Sequence, residues 1–313
     1  MSRASVIALA CLLASCSGDA LMPTSGGRAY EVVVEGDTDS IVSRELSETI
    51  YGMPQSEPWF DVTMVSKDEK TDVSRARNIV KVECDSSRYH YSHIRYAKDV
   101  DATPQRVVWV RSGSMAMLRA DMPVLGSRLR QLLHSAEQQR TRSRLERDHN
   151  PEARSELERD FGIDMYVPRE LTEHRAGQAF HWWSDGNASV MRNICVYHVK
   201  TWSAERHEQL RDSVLGREII GECDSMHLCS VRGTARVERQ IRHGAEEYTV
   251  RGLWEMHGDA MGGPYVDRVL PDGSGGAWVA EAFLFAPGEL KRNALRQLEA
   301  SLHTMKKQTK DKI

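Results

Sequence analysis

The residues best suited to chemistry lie in one segment between positions 251 and 265, where glycine pairs adjoin charged and aromatic side chains. Glycine lets a backbone approach a ligand closely, and an acid beside a histidine can transfer protons. A half-buried strand explains the same pattern, because Trp254 and Met256 alternate with Glu255 and His257. Catalysis or binding and ordinary strand packing therefore both remain open. The residues concerned are Arg251, Trp254, Glu255, His257, Asp259, Gly262 and Gly263.

Glu281 is a further candidate, because apolar residues flank it on both sides in the segment 278–285. A carboxylate removed from water must be paired or protonated. We expect an arginine such as Arg251 to reach it, either as a structural ion pair or within a site that perturbs its pKa. A hydrolase built on this carboxylate, the neighbouring acids and His257 requires their side chains to share one cavity.

Two adjacent tryptophans offer a weaker signal. On a strand, Trp182 and Trp183 point to opposite faces, so one ring could stack on a sugar, although core packing explains both. The chain contains no Gly-x-Ser-x-Gly elbow, no His-Glu-x-x-His helix and no phosphate-binding loop. The absence of these motifs therefore favours a non-catalytic protein.

Of the six cysteines, the four that follow Cys16 permit up to two disulfides in an oxidising compartment. Cys84 and Cys195 occupy inward positions of predicted strands, whereas Cys223 and Cys229 flank a short loop. Free thiols fit this spacing as well as disulfides do. A metal site that adds His227 lacks the usual cysteine spacing and a fourth ligand. We expect no metal and no cofactor.

The hydrophobic patterns predict an α+β fold of two tandem related halves, each similar to a ferredoxin-like unit with an antiparallel sheet and helices. An internal repeat is indicated by three phrases that recur in order, Phe60-Asp61-Val62, Arg77-Asn78-Ile79 and Leu129-Arg130-Gln131-Leu132. Predicted strands cover 30–35, 59–65, 78–84, 105–111, 237–241, 248–255, 265–270 and 277–285, and predicted helices include 41–50, 203–216 and 289–305.

The predicted layout runs from a signal peptide to a polar tail. Residues 137–160, the predicted connector between the two halves, carry mixed charges without an apolar stripe, which predicts a solvated helical segment. The units are a signal peptide at 1–15, a flexible tether at 16–28, a first half at 29–136, a charged helical connector at 137–160, a second half at 161–306 with a β-meander inserted at about 217–263, and a tail at 307–313.

The first residues predict a membrane anchor. Arg3 precedes a short apolar run that ends in Leu13-Ala14-Ser15-Cys16, which is typical of a bacterial lipoprotein signal rather than a membrane span. Cys16 would then carry the lipid and become the new N-terminus. An ordinary signal peptide with an incidental cysteine is the alternative.

Composition narrows the range of partners. The chain has 42 Lys and Arg against 45 Asp and Glu and a formal charge of −3, with no basic stripe, which argues against nucleic acid. Residues 17–28 are small and polar and span roughly 20 Å as coil, so the folded body should lie close to its bilayer.

Several phrases together resemble an uncharacterised lipoprotein family of Bacteroidota that is catalogued as a domain of unknown function. The resemblance implies a lipid-anchored envelope protein and supplies no catalytic residue. With Asp19 as the one acid near Cys16, we expect the periplasmic face of the outer membrane. The predicted function is a non-catalytic binding or assembly module for an envelope protein or glycan. The phrases include Gly27-Arg28-Ala29-Tyr30, Pro54-Gln55-Ser56-Glu57-Pro58, Arg251-Gly252-Leu253-Trp254 and Met261-Gly262-Gly263-Pro264-Tyr265.

Overall fold

The computed structural model describes residues 22–66, 72–223, 225–242 and 244–307. The predicted signal peptide and Cys16 lie outside these ranges. The described chain mixes helices with two large sheets, so the predicted α+β class is confirmed. None of the described helices is long and apolar enough to cross a membrane.

The first half contains a five-stranded sheet in the order β2-β1-β3-β5-β4. β1 runs parallel to β2 and β3, and β3 runs parallel to β5, while β4 is antiparallel to β5. The antiparallel, ferredoxin-like sheet predicted here is therefore wrong. The buried valine runs of these strands fit a parallel sheet. The strands are β1 (Glu31–Glu35), β2 (Asp61–Val65), β3 (Asn78–Cys84), β4 (His93–Lys98) and β5 (Arg106–Ser112).

Helices α1 (Ile41–Leu46) and α2 (Met115–Arg147) pack on this sheet. Asp37 caps α1, because its carboxylate accepts hydrogen bonds from the backbone N–H groups of Ile41 and Ser43 at 2.9 and 2.7 Å. The core between them is aliphatic and includes Val32, Val34, Leu46, Val80, Val82, Val108, Val110, Leu118, Leu129 and Leu133.

The segment predicted as a solvated connector contains a buried charge. Glu137 of α2 is 1% exposed and pairs with Arg77 and Arg140, at 2.8 and 2.7 Å. It also accepts a hydrogen bond from Asn78 at 2.7 Å. α2 therefore does not present a uniformly solvated face here, because these contacts fix it to the start of β3.

The second half is built on one antiparallel sheet in the order β10-β12-β13-β14-β9-β8-β7, with β11 also paired to β12. The three strands β10 to β12 fall in the segment predicted as an insertion, and they continue the main sheet. The elements are α3 (Pro151–Phe161), β6 (Ile163–Asp164), β7 (Glu173–Gly177), β8 (Phe180–Ser184), β9 (Met191–Val199), α4 (His207–Glu218), β10 (His227–Ser230), β11 (Arg236–Arg242), β12 (Ala245–His257), β13 (Gly262–Pro271), β14 (Ala277–Phe285), α5 (Arg292–Leu302) and β15 (Lys306–Lys307).

Helices cover both faces of this sheet. Along β14, Ala282 and Leu284 pack with α3 and α5, whereas Val279 and Phe283 pack with Leu215 of α4. Successive side chains of a strand point to opposite faces, so the two cores follow from alternation along each strand. The internal repeat stays a prediction. The two sheets differ in strand direction, since the first is mostly parallel and the second is antiparallel.

Helix α5 joins the two halves. Glu57 of the first half accepts hydrogen bonds from the backbone N–H groups of Lys291 and Arg292, at 2.8 and 2.9 Å. The side chain of Arg292 bonds the carbonyl of Pro58 and the carboxylate of Asp61, each at 2.6 Å. A carboxylate at a helix N-terminus satisfies orphan N–H groups and matches the helix dipole. The start of α5 is therefore fixed by the other half of the molecule.

We predict that Glu57→Ala destabilises the protein by about 1–2 kcal/mol, since it removes both capping bonds. The measurement is the midpoint of urea unfolding followed by tryptophan fluorescence. Glu289→Ala is the matched control, because it removes an exposed carboxylate near the same helix start. Equal losses in the two variants would contradict capping by Glu57.

Candidate functional site

Three of the predicted site residues belong to the core of the second half. Trp254 is 2% exposed, and its Nε1 donates a hydrogen bond to the carbonyl of Leu284 at 3.2 Å. A Cβ at Gly263 would collide with that same carbonyl, and one at Gly262 would lie 2.8 Å from the carbonyl of Trp254. The glycine pair therefore allows β13 to pass between two strands, which is a packing role.

The predicted acids and histidine do not converge with Glu281. Glu255 and His257 are exposed on β12, and Asp259 is exposed in the following turn. Glu281 is fully buried, and its alternation along β14 places it on the opposite face of the sheet. It is also about 16 Å away along the strands, because Glu255 pairs with Gly262 and Glu281 with Asp267. The hydrolase hypothesis therefore lacks the shared cavity that it requires.

Glu281 is paired with Arg211 of α4 and not with Arg251, which lies on the other face of the sheet. Nη2 of Arg211 donates to Glu281 at 2.7 Å, and both side chains are fully buried. The guanidinium also lies 3.9 Å from the centre of the Tyr265 ring. These contacts hold α4 on the sheet.

A second carboxylate completes this buried network. Asp267 lies opposite Glu281 and is 2.6 Å from Nε2 of His207. Trp202 donates its indole N–H to Nδ1 of that histidine, so Nε2 carries the hydrogen given to Asp267. Burial raises the pKa of Glu281 to about 8 and that of Asp267 to about 7. Burial thus favours protonation of both carboxylates, and Oδ1 of Asp267 has no hydrogen-bond partner among the described residues.

Arg251 instead lines a cleft of about 380 Å³ between the two halves. One wall comes from α2 of the first half, the opposite wall from β11 and β12, and the floor from α5. The lining includes five arginines but only two glutamates, an excess of three positive charges. The charged and titratable lining residues are Arg130, His134, Arg236, Glu238, Arg242, Arg251, Arg296, Glu299 and His303.

Two of these arginines are neutralised by carboxylates. Arg130 pairs with Glu45 and also with Glu48, the latter at 2.7 Å. Arg251 pairs with Glu299 of α5, which is 2% exposed. Burial alone would raise the pKa of Glu299, but the Arg251 guanidinium beside it lowers that pKa well below the ordinary value. Glu299 is therefore an anion whose charge is neutralised by Arg251.

Arg296 has no such match within the described residues. It is 2% exposed, with Nη1 bonded to the carbonyl of Trp59 at 2.8 Å and no hydrogen-bond partner for Nη2. The rings of Tyr30 and Trp59 lie 4.5 and 4.4 Å from its guanidinium. Burial lowers its pKa to about 10, which still leaves it charged at neutral pH. The floor of the cleft thus carries a buried cation with one N–H donor group that has no acceptor.

Two further arginines lie on the strand wall above it. Arg236 lies 3.5 Å from the centre of the Tyr51 ring, and Arg242 bonds the amide oxygen of Gln240 at 3.0 Å. Within the described ranges, neither forms a salt bridge. Burial lowers the pKa of His134 to about 3, so that histidine is neutral. The positive charge of the cleft therefore comes from arginines.

The remaining sequence candidates do not form a second site. Trp183 is buried in the core, and Trp182 is half-buried under Arg175, with its indole bonded to Asn193 at 3.0 Å. The exposed ring proposed for sugar stacking is therefore not available. The four later cysteines remain thiols; Cys195 is buried as predicted, whereas Cys84 is exposed at the end of β3.

Two family models match the chain. Residues 150–304 match "Domain of unknown function (DUF4837)", and residues 25–146 match "Domain of unknown function (DUF8532)". The chain resembles two uncharacterised families. The predicted resemblance to a domain of unknown function is thus confirmed, and neither description carries an activity, a bacterial group or an anchor. No curated protein matches the chain.

Solved structures give distant likenesses. A Mog1 point mutant has 8% identity and a TM-score of 0.30, with 47% of this chain and 90% of that chain covered. The Ran-binding protein Mog1p of Saccharomyces cerevisiae has 10% identity and 0.28, covering 46% and 82%. Cyanobacterial PsbP from Synechocystis sp. PCC 6803 has 10% identity and 0.26, covering 47% and 87%. Likeness at this level carries no inference about function.

The Glu281 network predicts a specific pH dependence. A carboxyl whose folded-state pKa is raised holds a proton that the unfolded chain releases, so its stabilisation is present at low pH and lost as pH rises through about 8. Glu281→Gln removes this contribution. Its unfolding free energy should therefore rise relative to wild type between pH 5 and pH 8, measured by urea unfolding at each pH. Glu255→Gln, which removes an exposed carboxylate, should show no such trend; a flat difference for Glu281→Gln would contradict the assignment.

Proposed function

We propose that the protein is a non-catalytic binding module that captures a small oxyanion in the cleft between its two halves. The observation that carries this proposal is the unpartnered Nη2 of Arg296 at the floor of the cleft. A buried guanidinium N–H without an acceptor costs about 1–3 kcal/mol or more, because its hydration is lost without replacement. A bound carboxylate or phosphate oxygen would supply the missing acceptor once the guanidinium turns toward the cleft, because Nη2 is itself closed to solvent.

The surroundings of Arg296 fit this ligand class. Arg236 and Arg242 add two cations from the strand wall, and guanidinium groups recognise carboxylate and phosphate through paired hydrogen bonds. Glu299 is already matched by Arg251, so it does not consume the charge of Arg296. The fixed position of α5 also means that the site is organised before a ligand arrives, which reduces the entropic cost of binding.

The size of the cleft limits the ligand. A volume of about 380 Å³ lies at the small end of the range for small-molecule pockets. It suits an anionic head group or a compact metabolite better than a folded partner. Part of the inserted meander forms the binding wall, as the sequence suggested, but with Arg236 and Arg242 of β11 in place of His257 and Asp259.

The proposed location is the cell envelope, with Cys16 carrying the lipid anchor. The support is the pattern of a single cation, a short apolar run and Leu-Ala-Ser-Cys. The first strand, β1, starts at Glu31, fifteen residues after the proposed anchor, so the folded body would lie close to the membrane. The cleft would then sample ligands close to a membrane surface.

The first test is anion binding measured by thermal shift and calorimetry, with inorganic phosphate and citrate as probes. We expect either oxyanion to raise the melting temperature, because a ligand that binds the folded state stabilises it by mass action. The double variant Arg236→Gln/Arg242→Gln should weaken binding at least tenfold, since a charge-assisted hydrogen bond contributes about 1.5–3 kcal/mol.

Arg239→Gln is the matched control for this test. Arg239 lies on the same strand but pairs with Glu246 outside the cleft lining, so its loss removes one positive charge from another surface, to be compared with the two removed by the double variant. Equal weakening by Arg239→Gln would indicate non-specific attraction to net charge. No stabilisation of wild type by either probe would contradict the proposal.

The anchor has a separate test. Cys16→Ser should move the protein from the membrane fraction to the soluble fraction, whereas Cys11→Ser, in the same apolar run, should leave it in the membrane fraction. The measurement is membrane fractionation followed by detergent-phase partition. An unchanged membrane fraction for Cys16→Ser would exclude lipid attachment at this residue without affecting the anion test.

A further inference from the structure

Four potential ligand residues meet where α3 packs against the hairpin of β7 and β8. Glu156 and Asp160 are four residues apart on α3, so they share one face of the helix. His181 pairs with Ala176 on β7, so His174 lies two residues further along and on the same face of the hairpin. One ligand atom from each of Glu156, His174 and His181 lies within 4.8 Å of the other two.

The two imidazole rings face each other through their inner nitrogens. Nε2 of His174 lies 3.0 Å from Nδ1 of His181. The outer nitrogens face carboxylates, with Nδ1 of His174 at 3.3 Å from Glu156 and Nε2 of His181 at 3.2 Å from Asp160. If each outer nitrogen donates its hydrogen to its carboxylate, both inner nitrogens present lone pairs to each other. A cation between them relieves this repulsion.

The spacing suits a transition metal. Two nitrogen ligands of a tetrahedral Zn²⁺ with ordinary Zn–N bonds are ~3.3 Å apart, close to the observed separation. Imidazole ligands favour Zn²⁺ and its neighbours over Mg²⁺ and Ca²⁺, which prefer sites built from oxygen. The two carboxylates carry a charge of −2, of which Arg159, paired with Asp160 at 2.7 Å, offsets one, so the group stays net negative and attracts a cation.

The second shell of such a site is already present. A metal-bound histidine commonly donates its other ring N–H to a carboxylate, and Asp160 stands at this position for His181. The side chain of His181 is 5% exposed, while those of His174 and Glu156 are about a quarter exposed, so an ion can enter from solvent.

We propose that His174 and His181 bind a divalent transition metal ion through their inner nitrogens, with Zn²⁺ as the preferred ion and with Glu156 and Asp160 as the carboxylates that orient the two imidazoles. Water molecules from the solvent side complete the coordination. This site is separate from the arginine cleft, and its donor set differs from the Cys223, His227 and Cys229 group considered from the sequence.

The metal would fasten an otherwise weakly held edge of the second sheet. β7 is the terminal strand of that sheet, and all five of its residues are exposed. An ion shared by β7 and β8, whose histidines are held by the carboxylates of α3, links this edge to the helix, and binding to the folded state alone raises stability. The edge strand would also be less open to pairing with another chain.

The test is Zn²⁺ binding to the purified chain, measured by competition with a chromophoric chelator. We expect one tightly bound equivalent, which Mg²⁺ does not displace. His174→Ala should weaken binding about 100-fold or more, and Asp160→Asn about 10–100-fold at the same stoichiometry, as found for outer-shell partners. Substitution by Co²⁺ should give a visible absorption spectrum that changes in Asp160→Asn, which a purely structural role would not produce.

His257→Ala is the matched control, since His257 is exposed and lies 5.0 Å, ring centre to ring centre, from His227 without forming a comparable group of ligand atoms. It should leave Zn²⁺ affinity unchanged. If circular dichroism shows that His174→Ala is misfolded, the double variant Glu156→Gln/Asp160→Asn tests the site instead, because it removes the two carboxylates of α3. Binding that survives both disruptions, binding lost in His257→Ala, or no bound Zn²⁺ in wild type would overturn the proposal.

Discussion

The start of α5 is held by Glu57, a carboxylate from the other half of the molecule, and the rest of the arrangement depends on this contact. The helix uses its two faces differently. Leu295 and Leu298 are buried in the core of the second half, whereas Arg296 and Glu299 form the floor of the cleft. Because one helix serves both purposes, the position of the cleft floor is set by the packing that joins the halves.

The two faces of the large sheet carry contrasting charge systems. On one face, Arg211 pairs with Glu281 and His207 is hydrogen-bonded to Asp267, and these contacts hold α4 in place, although Oδ1 of Asp267 has no hydrogen-bond partner among the described residues. On the other, Arg251 and Glu299 neutralise each other, while Arg296 keeps an unpaired donor. Buried charges are normally paired because desolvation is costly. The unpaired donor of Arg296 borders an open cleft, whereas the network around Glu281 is closed to solvent, and this difference points to the cleft as the place for a ligand.

The sequence predicted the strands well where alternation or buried runs were strong, as at β3 and β14, and it identified Glu281 as a buried, paired acid. It could not supply the partner, because Arg211 and Glu281 are 70 residues apart and meet through the packing of α4 on the sheet. It predicted an antiparallel first sheet, which was wrong. Strand direction depends on the connections between strands, and the alternation of side chains does not reveal it. The cleft and the His174–His181 cluster escaped prediction since their members come from several elements that only tertiary contacts bring together.

Binding of an oxyanion to Arg296 can be observed in a crystal structure grown with inorganic phosphate. We expect tetrahedral density within hydrogen-bond distance of Nη2 of Arg296, with Arg236 or Arg242 turned toward it and α5 unmoved. A cleft that holds only water at Nη2, or phosphate bound elsewhere on the surface while Nη2 remains without an anion, would contradict it.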